Sequence, residues 1–593
     1  MTTPIPAQPA AAQKRTNSRT LSDLLVDYLE LLGVEYVFGI PGVHVIGLYE
    51  ALARSAKRGG PRAVLTRHES GAAFMAAGYA RETGKLGVCC ATAGPGITNA
   101  ITGIASAHSE HLPVLVLSGQ AVTHAFGLGA IQESSPYEAY FPDIIDATGM
   151  LQHCTTYNSV VTTPLQLEGK VAAAMTAALQ GPVRGVAHLA IPPNILEAPA
   201  QSDSIAYPGL GALLGSQPDF VEAPALEKLW AEIETVVGNK GRVALLVGHE
   251  CAGASEEILT LAEMLDAPIM TTVRGRAWVD PYHPLARGIF GPLWGHPSAF
   301  QVLDEPLDLL LAVGTSLTQA ATGAWDAGVL NDRLVHIHPT ETFFTRAPMA
   351  RLHVRGVVKR VFRELIGRLQ AAGVPANPML EQRLAARERG GVPAQIKVQK
   401  QALMQDGSCP IKPQRLMHEL ATHCPPETRF MIDIGNSLPW TAHYLFQQHP
   451  ENYRILFGQS SMGSSPGTAV GIAMGARGTP VVAVIGDGAF LMYGQELTVA
   501  VSEELPVIFV VLNDQALGMV KNRHSQTSEA AVKLDVPPVD FAALAEAMGA
   551  QGVTVREPAD FAALDWRAMC ARKGPTLVNV YIDAAEMLPQ GIS

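Results

Sequence analysis

The apolar and polar positions of this chain fall into three successive strand-and-helix patterns. From Leu21 there is helical spacing in LSDLLVDYLELLGV, then short apolar runs EYVFGI and AVLT, and a long helical stretch AAFMAAGYARETG. The run GVCCAT, a second helical stretch TNAITGIASAHSE and the run PVLVLSG follow. Short apolar runs alternating with helical stretches predict an open, doubly wound parallel sheet. A polar joint, EAPAQSDSIAYPGLGALLGSQPDF, separates this unit from a second with strands near VALLVG, PIMTT, LLLAVG and LVHIH. The charged, proline-bearing AAGVPANPMLEQRLAARERGGVPAQ reads as a linker to a third unit. The fold class expected is α/β, with three doubly wound parallel-sheet domains: a flexible tail over 1–19, domains over 20–195, 220–370 and 411–583, and a linker over 371–410.

Within the third unit the order VVAVIGDGAF, LMYGQELTVAVSEE, LPVIFVVLNDQALG makes a strand, a tight glycine turn, one amphipathic helix and a second strand. A strand-helix-strand crossover returns the chain parallel to its start, so Asp487 and the pair Asn513-Asp514 arrive at one sheet edge. Two close carboxylates are costly without a cation between them, and hard oxygen ligands suit Mg²⁺ or Ca²⁺. Gly486 and Gly488 let the backbone approach a ligand, and the helix starting near Ala489 aims its amide end at the same place, which favours phosphate. The site predicted is a metal-bridged diphosphate.

Composition narrows the classes. A chain of 593 residues is too long for one core, and 48% hydrophobic with only 16% charged residues suits well-covered parallel sheets. The net charge of −11 carries no basic stripe for nucleic acid, and no apolar run is long enough to span a bilayer. Seven cysteines without a CxxC pair fit a reduced, cytoplasmic setting. His108, His111 and His124 share no metal-ligand spacing and read as structural donors.

The GDG turn followed 27 residues later by an Asn-Asp pair resembles the cofactor signature of thiamine diphosphate enzymes. That resemblance implies that Asp487, Asp514 and the carbonyl of Ala516 hold the metal, Mg²⁺. Many family members carry Asn where this chain has Asp514, so the site here is more negative. The segment RHESGAAFMAAGYARETGKLGVCCATAGPGITNAITGIASAHSEHLPVLVLSGQ is similar to the pyrimidine-binding domain of the acetolactate synthase-like branch, large catalytic subunit type. By that likeness the first domain binds the pyrimidine and the third the diphosphate, and Glu69 faces the aminopyrimidine ring. DIGNSLPW and GQSSMGSSPGTAVGIAMGA resemble further cofactor loops, with Asn436 and Ser437 approaching the diphosphate and Met462 bending the cofactor. Gly486, Gly488, Ala489 and Met519 complete the implied contacts. The family builds each active site between two subunits, which implies a homodimer or homotetramer.

SGQAVTHAFGLGAIQE resembles the synthase loop that carries a glutamine near the reacting centre, here Gln132, with Ile131 where phenylalanine is usual. ALGMV, with Met519 and Val520, looks like the substrate wall, and Arg523 stands where the synthases carry a tryptophan. SLTQA replaces a flavin-contacting RFDDR, and IPPN replaces IPKD, so FAD binding is left uncertain. His44 in GIPGVH, together with LTRHE, resembles the decarboxylases of guanidino-type 2-oxo acids. The implied activity is a carboligase that decarboxylates a 2-oxo acid and condenses the enamine with a second carbonyl compound. Alternatives are simple decarboxylation with aldehyde release, or a catalytically inactive family member. The expected partners are small 2-oxo acids, with no nucleic acid and no membrane.

Overall fold

Each apolar pattern closes as a six-stranded sheet in which every strand pairing is parallel. A computed structural model describes residues 19–134, 144–180, 184–202, 204–215, 219–375 and 378–589; residues 1–18 of the expected tail lie outside them. The first sheet holds β1 (Tyr36–Gly39), β2 (Arg62–Leu65), β3 (Gly87–Ala91), β4 (Val114–Gly119), β5 (Tyr157–Val160) and β6 (Val186–Ile191), ordered β2-β1-β3-β4-β6-β5. The central sheet holds β7 (Val243–Val247), β8 (Ile269–Thr271), β9 (Ala286–Ile289), β10 (Leu309–Val313), β11 (Leu334–His338) and β12 (Leu352–Arg355), ordered β12-β11-β10-β7-β8-β9. The third holds β13 (Arg429–Ile432), β14 (Tyr453–Ile455), β15 (Val481–Gly486), β16 (Val507–Asn513), β17 (Gln551–Val555) and β18 (Thr576–Tyr581), ordered β14-β13-β15-β16-β18-β17. Counted from its own first strand, the third sheet repeats the strand order of the first.

The inner strands are covered on both faces, which is why β3, β4, β7 and β10 read as unbroken apolar runs and are buried along their whole length. The first and third units share one core. The helix Glu69–Thr83 lies against the helix Ser464–Gly475, and Phe74, Ala76, Ala77, Ala469, Ile472 and Ala473 belong to a single buried cluster. Small residues allow the approach: a Cβ at Gly471 would overlap the carbonyl of Met75, and one at Gly78 the carbonyl of Thr468.

Two expectations need correction. The stretch LMYGQELTVAVSEE is not one helix but part of three pieces, Asp487–Tyr493, a 3-10 turn Gly494–Glu496 and Leu497–Ser502. The break turns the Glu496 carboxylate toward the first unit, where it accepts from the backbone N–H of His68 at 2.8 Å and of Arg67 at 3.3 Å. The segment read as a linker contains a helix, Leu380–Arg389, tied to the central unit by the ion pair of Arg387 with the buried Asp280. Among the described residues no helix is long and apolar enough to cross a membrane, and all seven cysteines are free.

Candidate active site

At the carboxyl edge of the third sheet, β15 runs directly into the helix Asp487–Tyr493, and the neighbouring β16 ends at Asn513. Parallel pairing of those strands therefore sets Asp487 beside Asp514. Asp487 accepts from the N–H of Gly488 at 2.6 Å and of Gln515 at 2.7 Å. Asp514 accepts from Asn436 Nδ2 at 2.8 Å and from the N–H of Ala516 at 3.3 Å. Burial first, then the charge of Asp514, raises the Asp487 carboxyl to about 7. Burial raises Asp514 to about 6, against the hydrogen bonds from Ala516 and Asn436. Asn436 Oδ1, beside them, is buried without a hydrogen-bond partner. Two carboxylates whose ionisation is opposed, with a free amide oxygen alongside, form a donor set suited to a hard divalent cation. Neither glycine of the GDG turn adopts a positive φ; both keep side-chain bulk away from this edge.

The loop after β13 closes the same edge. Asp433, fully buried, accepts from the N–H groups of Ile434, Gly463 and Ser465, each at 2.8 Å, and so ties the start of the helix Ser464–Gly475 to that loop. Burial raises its carboxyl to about 6 against those bonds. Ser464 Oγ, at that helix start, is buried and unpartnered, so a free hydroxyl stands beside the amides that Asp433 already takes. The hydroxyl of Ser437, by contrast, donates to the carbonyl of Asp433 at 2.9 Å, and its own carbonyl accepts from Thr441 Oγ1 at 2.7 Å. Met462 and Met519 are half-buried, the first against the shared core and the second against the other face of the third sheet. Ala489 and Ala516 are buried.

The carboxyl edge of the first sheet gathers the second set. Glu69 follows β2 as the first residue of its helix, half-buried, and accepts from Asn99 Nδ2 at 3.1 Å. Its helix start rests on Glu496, whose carboxyl burial raises to about 7 against the backbone bonds it accepts. Gly71 leaves room for that carboxylate, which a Cβ would overlap. Gly71→Ala is therefore expected to destabilise the fold by about 1–3 kcal/mol through overpacking; an unchanged denaturation midpoint would dissociate Glu496 from this position.

His44, after β1, hydrogen-bonds with Thr92 Oγ1, after β3, through Nδ1 at 3.3 Å. Burial holds the His44 imidazole below its ordinary value, and its contact with the backbone of Ile131 opposes this. The loop after β4 is ordered by buried polar groups. Gln120 Oε1 accepts from the N–H of Ala121 and Ser134 at 2.9 Å, and Ser134 Oγ accepts from the N–H of Gly94 at 2.8 Å. Glu133 accepts from the N–H of Gly127, Gly129 and Ala130 at 2.6, 3.2 and 3.1 Å. Asn194, from the IPPN segment, accepts from the N–H of Thr123 at 3.1 Å. Gln132 is thereby fixed in a left-handed conformation, φ 59, packed over Gly94, with the neighbouring Ile131 85% exposed.

The single chain thus forms two separate clusters. Among the described residues no hydrogen bond or ion pair joins Glu69, His44 or Gln132 to Asn436, Asp487 or Asp514. Val520 and Arg523 are exposed on the helix Gly518–Thr527 and touch neither cluster through a hydrogen bond or ion pair. Sequence reasoning missed Asp433, Glu133 and Glu496. Asp433 follows an apolar run as Asp487 does, which was a readable signal; Glu133 takes backbone amides of its own loop, and Glu496 takes amides of the distant first unit.

Three family models match the chain: the N-terminal TPP binding domain of thiamine pyrophosphate enzymes over residues 19–139, the central domain over 231–365 and the C-terminal TPP binding domain over 433–580. A probable acetolactate synthase large subunit of Methanocaldococcus jannaschii is 29% identical over 96% of this chain and 93% of its own. An acetolactate synthase large subunit of Mycobacterium tuberculosis is 29% identical over 95% of this chain and 88% of its own. A probable 2-ketoarginine decarboxylase of Pseudomonas aeruginosa is 31% identical over 97% of this chain and 95% of its own.

Proposed function

Since this chain belongs to the thiamine pyrophosphate enzyme family, in its acetolactate synthase-like branch, we propose that it is a Mg²⁺-dependent carboligase. It decarboxylates a 2-oxo acid and joins the remaining fragment to a second carbonyl compound. The observation that carries this reading is the loop of residues 120–134, whose buried polar groups hold Gln132 over Gly94 and the backbone of Ile131 beside His44 while leaving the Ile131 side chain open to solvent. A preorganised amide at an open wall suits a second reactant that must be oriented without being excluded.

Asp487, Asp514, the carbonyl of Ala516 and Asn436 Oδ1 would hold the cation, and the free Ser464 hydroxyl at its helix start would meet the diphosphate. When bound, thiamine diphosphate supplies the electron sink for the charge released by decarboxylation. Glu69 exchanges a proton with the pyrimidine ring, and His44, kept neutral by burial, accepts or returns one near the substrate. Because each chain carries the two clusters apart, two copies pair so that Glu69 of one faces Asp487 of the other, in a homodimer or a pair of dimers.

The exposed Arg523 offers a carboxylate or another polar acceptor a charged fork. Arg523→Trp is expected to narrow the accepted partners toward small oxo acids, read from product profiles across an acceptor series. An unaltered profile removes Arg523 from the pocket.

A second reading, decarboxylation with aldehyde release, is favoured by His44 and its Thr92 contact and by the 31% identical 2-ketoarginine decarboxylase. Product analysis with pyruvate and with longer, guanidino-bearing or arylated 2-oxo acids separates the two: a hydroxyketone or a branched hydroxy acid supports carboligation, and aldehyde alone supports decarboxylation. An absorbance scan of the same sample decides whether flavin co-purifies.

A further inference from the structure

Where the first unit meets the central one, His111, His249 and Glu250 present three ligand atoms that all lie within 4.8 Å of one another. His111 follows the helix Pro95–Ser109 in a left-handed turn, φ 54, while His249 and Glu250 follow β7 in a short 3-10 turn. The donors therefore come from two separately built sheets, with 139 residues between His111 and Glu250. No local motif joins them, which is why the sequence alone made His111 a structural donor.

The geometry points to a metal ion at this seam. His111 Nδ1 stands 2.8 Å from Glu250 Oε1, and His249 Nε2 stands 3.1 Å from the same oxygen. Both imidazoles thus converge on a single carboxylate oxygen, and His249 Nε2, buried in the seam, has no other partner. Two imidazole nitrogens and a carboxylate oxygen gathered within 4.8 Å approach the separation of ligands on one ion. Ligands at about 2.0–2.1 Å around a tetrahedral Zn²⁺ lie roughly 3.3 Å apart.

The surroundings keep the donors available. Arg274, whose charge reaches His249, is engaged by the buried Glu110 at 3.2 Å, and Arg81 also pairs with Glu110, so Glu110 rather than Glu250 balances those charges. Arg184, whose charge also reaches Glu250, donates to the carbonyl of Gly84 at 3.4 Å. Phe343 borders His111 at 6.1 Å between ring centres and packs edge-on against His338 at 4.8 Å. His338 Nε2 is likewise buried without a hydrogen-bond partner, and its ring lies within electrostatic reach of Glu250, His249 and His111.

Two imidazoles and one carboxylate select a borderline-soft transition metal over Mg²⁺. The ion class is zinc-like, and its role is to clamp the first unit to the central one, since removing it frees ligands on both sides. This site is distinct from the Asp487–Asp514 edge in position and in donor chemistry.

The test uses untagged protein saturated with thiamine diphosphate and Mg²⁺, so that the oxygen site is occupied. Zn²⁺ titration is expected to give one ion per chain, and anomalous diffraction at the zinc edge to place it between His111, His249 and Glu250. His111→Ala and Glu250→Gln should each weaken zinc binding by more than the roughly 10- to 100-fold that outer-shell partners carry, while Cys409→Ser, at the exposed free thiol, leaves it unchanged. No zinc bound at micromolar concentration, a zinc peak elsewhere, or unchanged affinity in both ligand variants overturns the assignment. If a variant folds poorly, X-ray absorption of the zinc-loaded unaltered protein decides: a shell of nitrogen and oxygen at about 2.0 Å supports the site, and a sulfur-dominated or six-oxygen shell sinks it.

Discussion

Replacing Glu69 with Gln is expected to lower turnover by about 10²- to 10⁴-fold or more, the scale of a lost general acid-base group, while thiamine diphosphate still binds. The substitution keeps the size of the side chain and an oxygen for Asn99 Nδ2, which lies 3.1 Å away. It also leaves the Glu496 carboxylate under the start of the helix. Only the capacity to exchange a proton is removed. Measuring turnover and cofactor affinity separately checks this. Unchanged turnover takes Glu69 out of the chemistry, and a parallel fall in affinity makes it a binding residue.

Asp487→Asn is expected to act in the opposite way, weakening Mg²⁺-dependent retention of thiamine diphosphate by at least about 100-fold, above the range for outer-shell partners. The amide can still accept from Gln515, but the charge that a divalent ion needs is gone. The pH dependence has a definite sign. Asp487 and Asp514 are raised, to about 7 and about 6, so in the metal-free protein they favour the fold at low pH, and that contribution is lost as the pH rises through those values. A cation requires the ionised forms, so cofactor retention should strengthen over the same window. Calorimetry at pH 5.5 and pH 8, with and without the substitution, reads both effects. Equal retention by Asp487→Asn and the unaltered protein would move the metal elsewhere.

Legibility followed burial. Inner strands such as GVCCA, VALLV and VVAVIG are covered on both faces and carry unbroken apolar runs that stand out in one dimension. The strands not singled out from the sequence include β5, β9, β12, β14 and β17, each at the edge of its sheet, and the inner β6, β13 and β18, whose apolar runs carry His188, Arg429 and Asn579. The long stretch after GDG carried helical periodicity throughout, yet it breaks at Gly494–Glu496 because Glu496 binds amides of the first unit. Periodicity reports which face is buried, and it does not report a contact that outweighs one hydrogen-bonded turn.

What the chain determined by itself was local and repetitive: three α/β patterns, the GDG turn, and the return of Asp514 to the side of Asp487, because a parallel crossover leaves no other edge for it. The tertiary structure alone decided how groups far apart in sequence meet. Glu496 lies under the helix of Glu69, Asp433 joins the loop after β13 to the Ser464 helix, and His111 meets Glu250 across a seam. The first two depend on a fully buried carboxylate finding its partners, and the last on two half-buried groups. Burial makes an unpaired polar atom costly enough to choose one arrangement, and which atom is buried is known only once the sheets have packed.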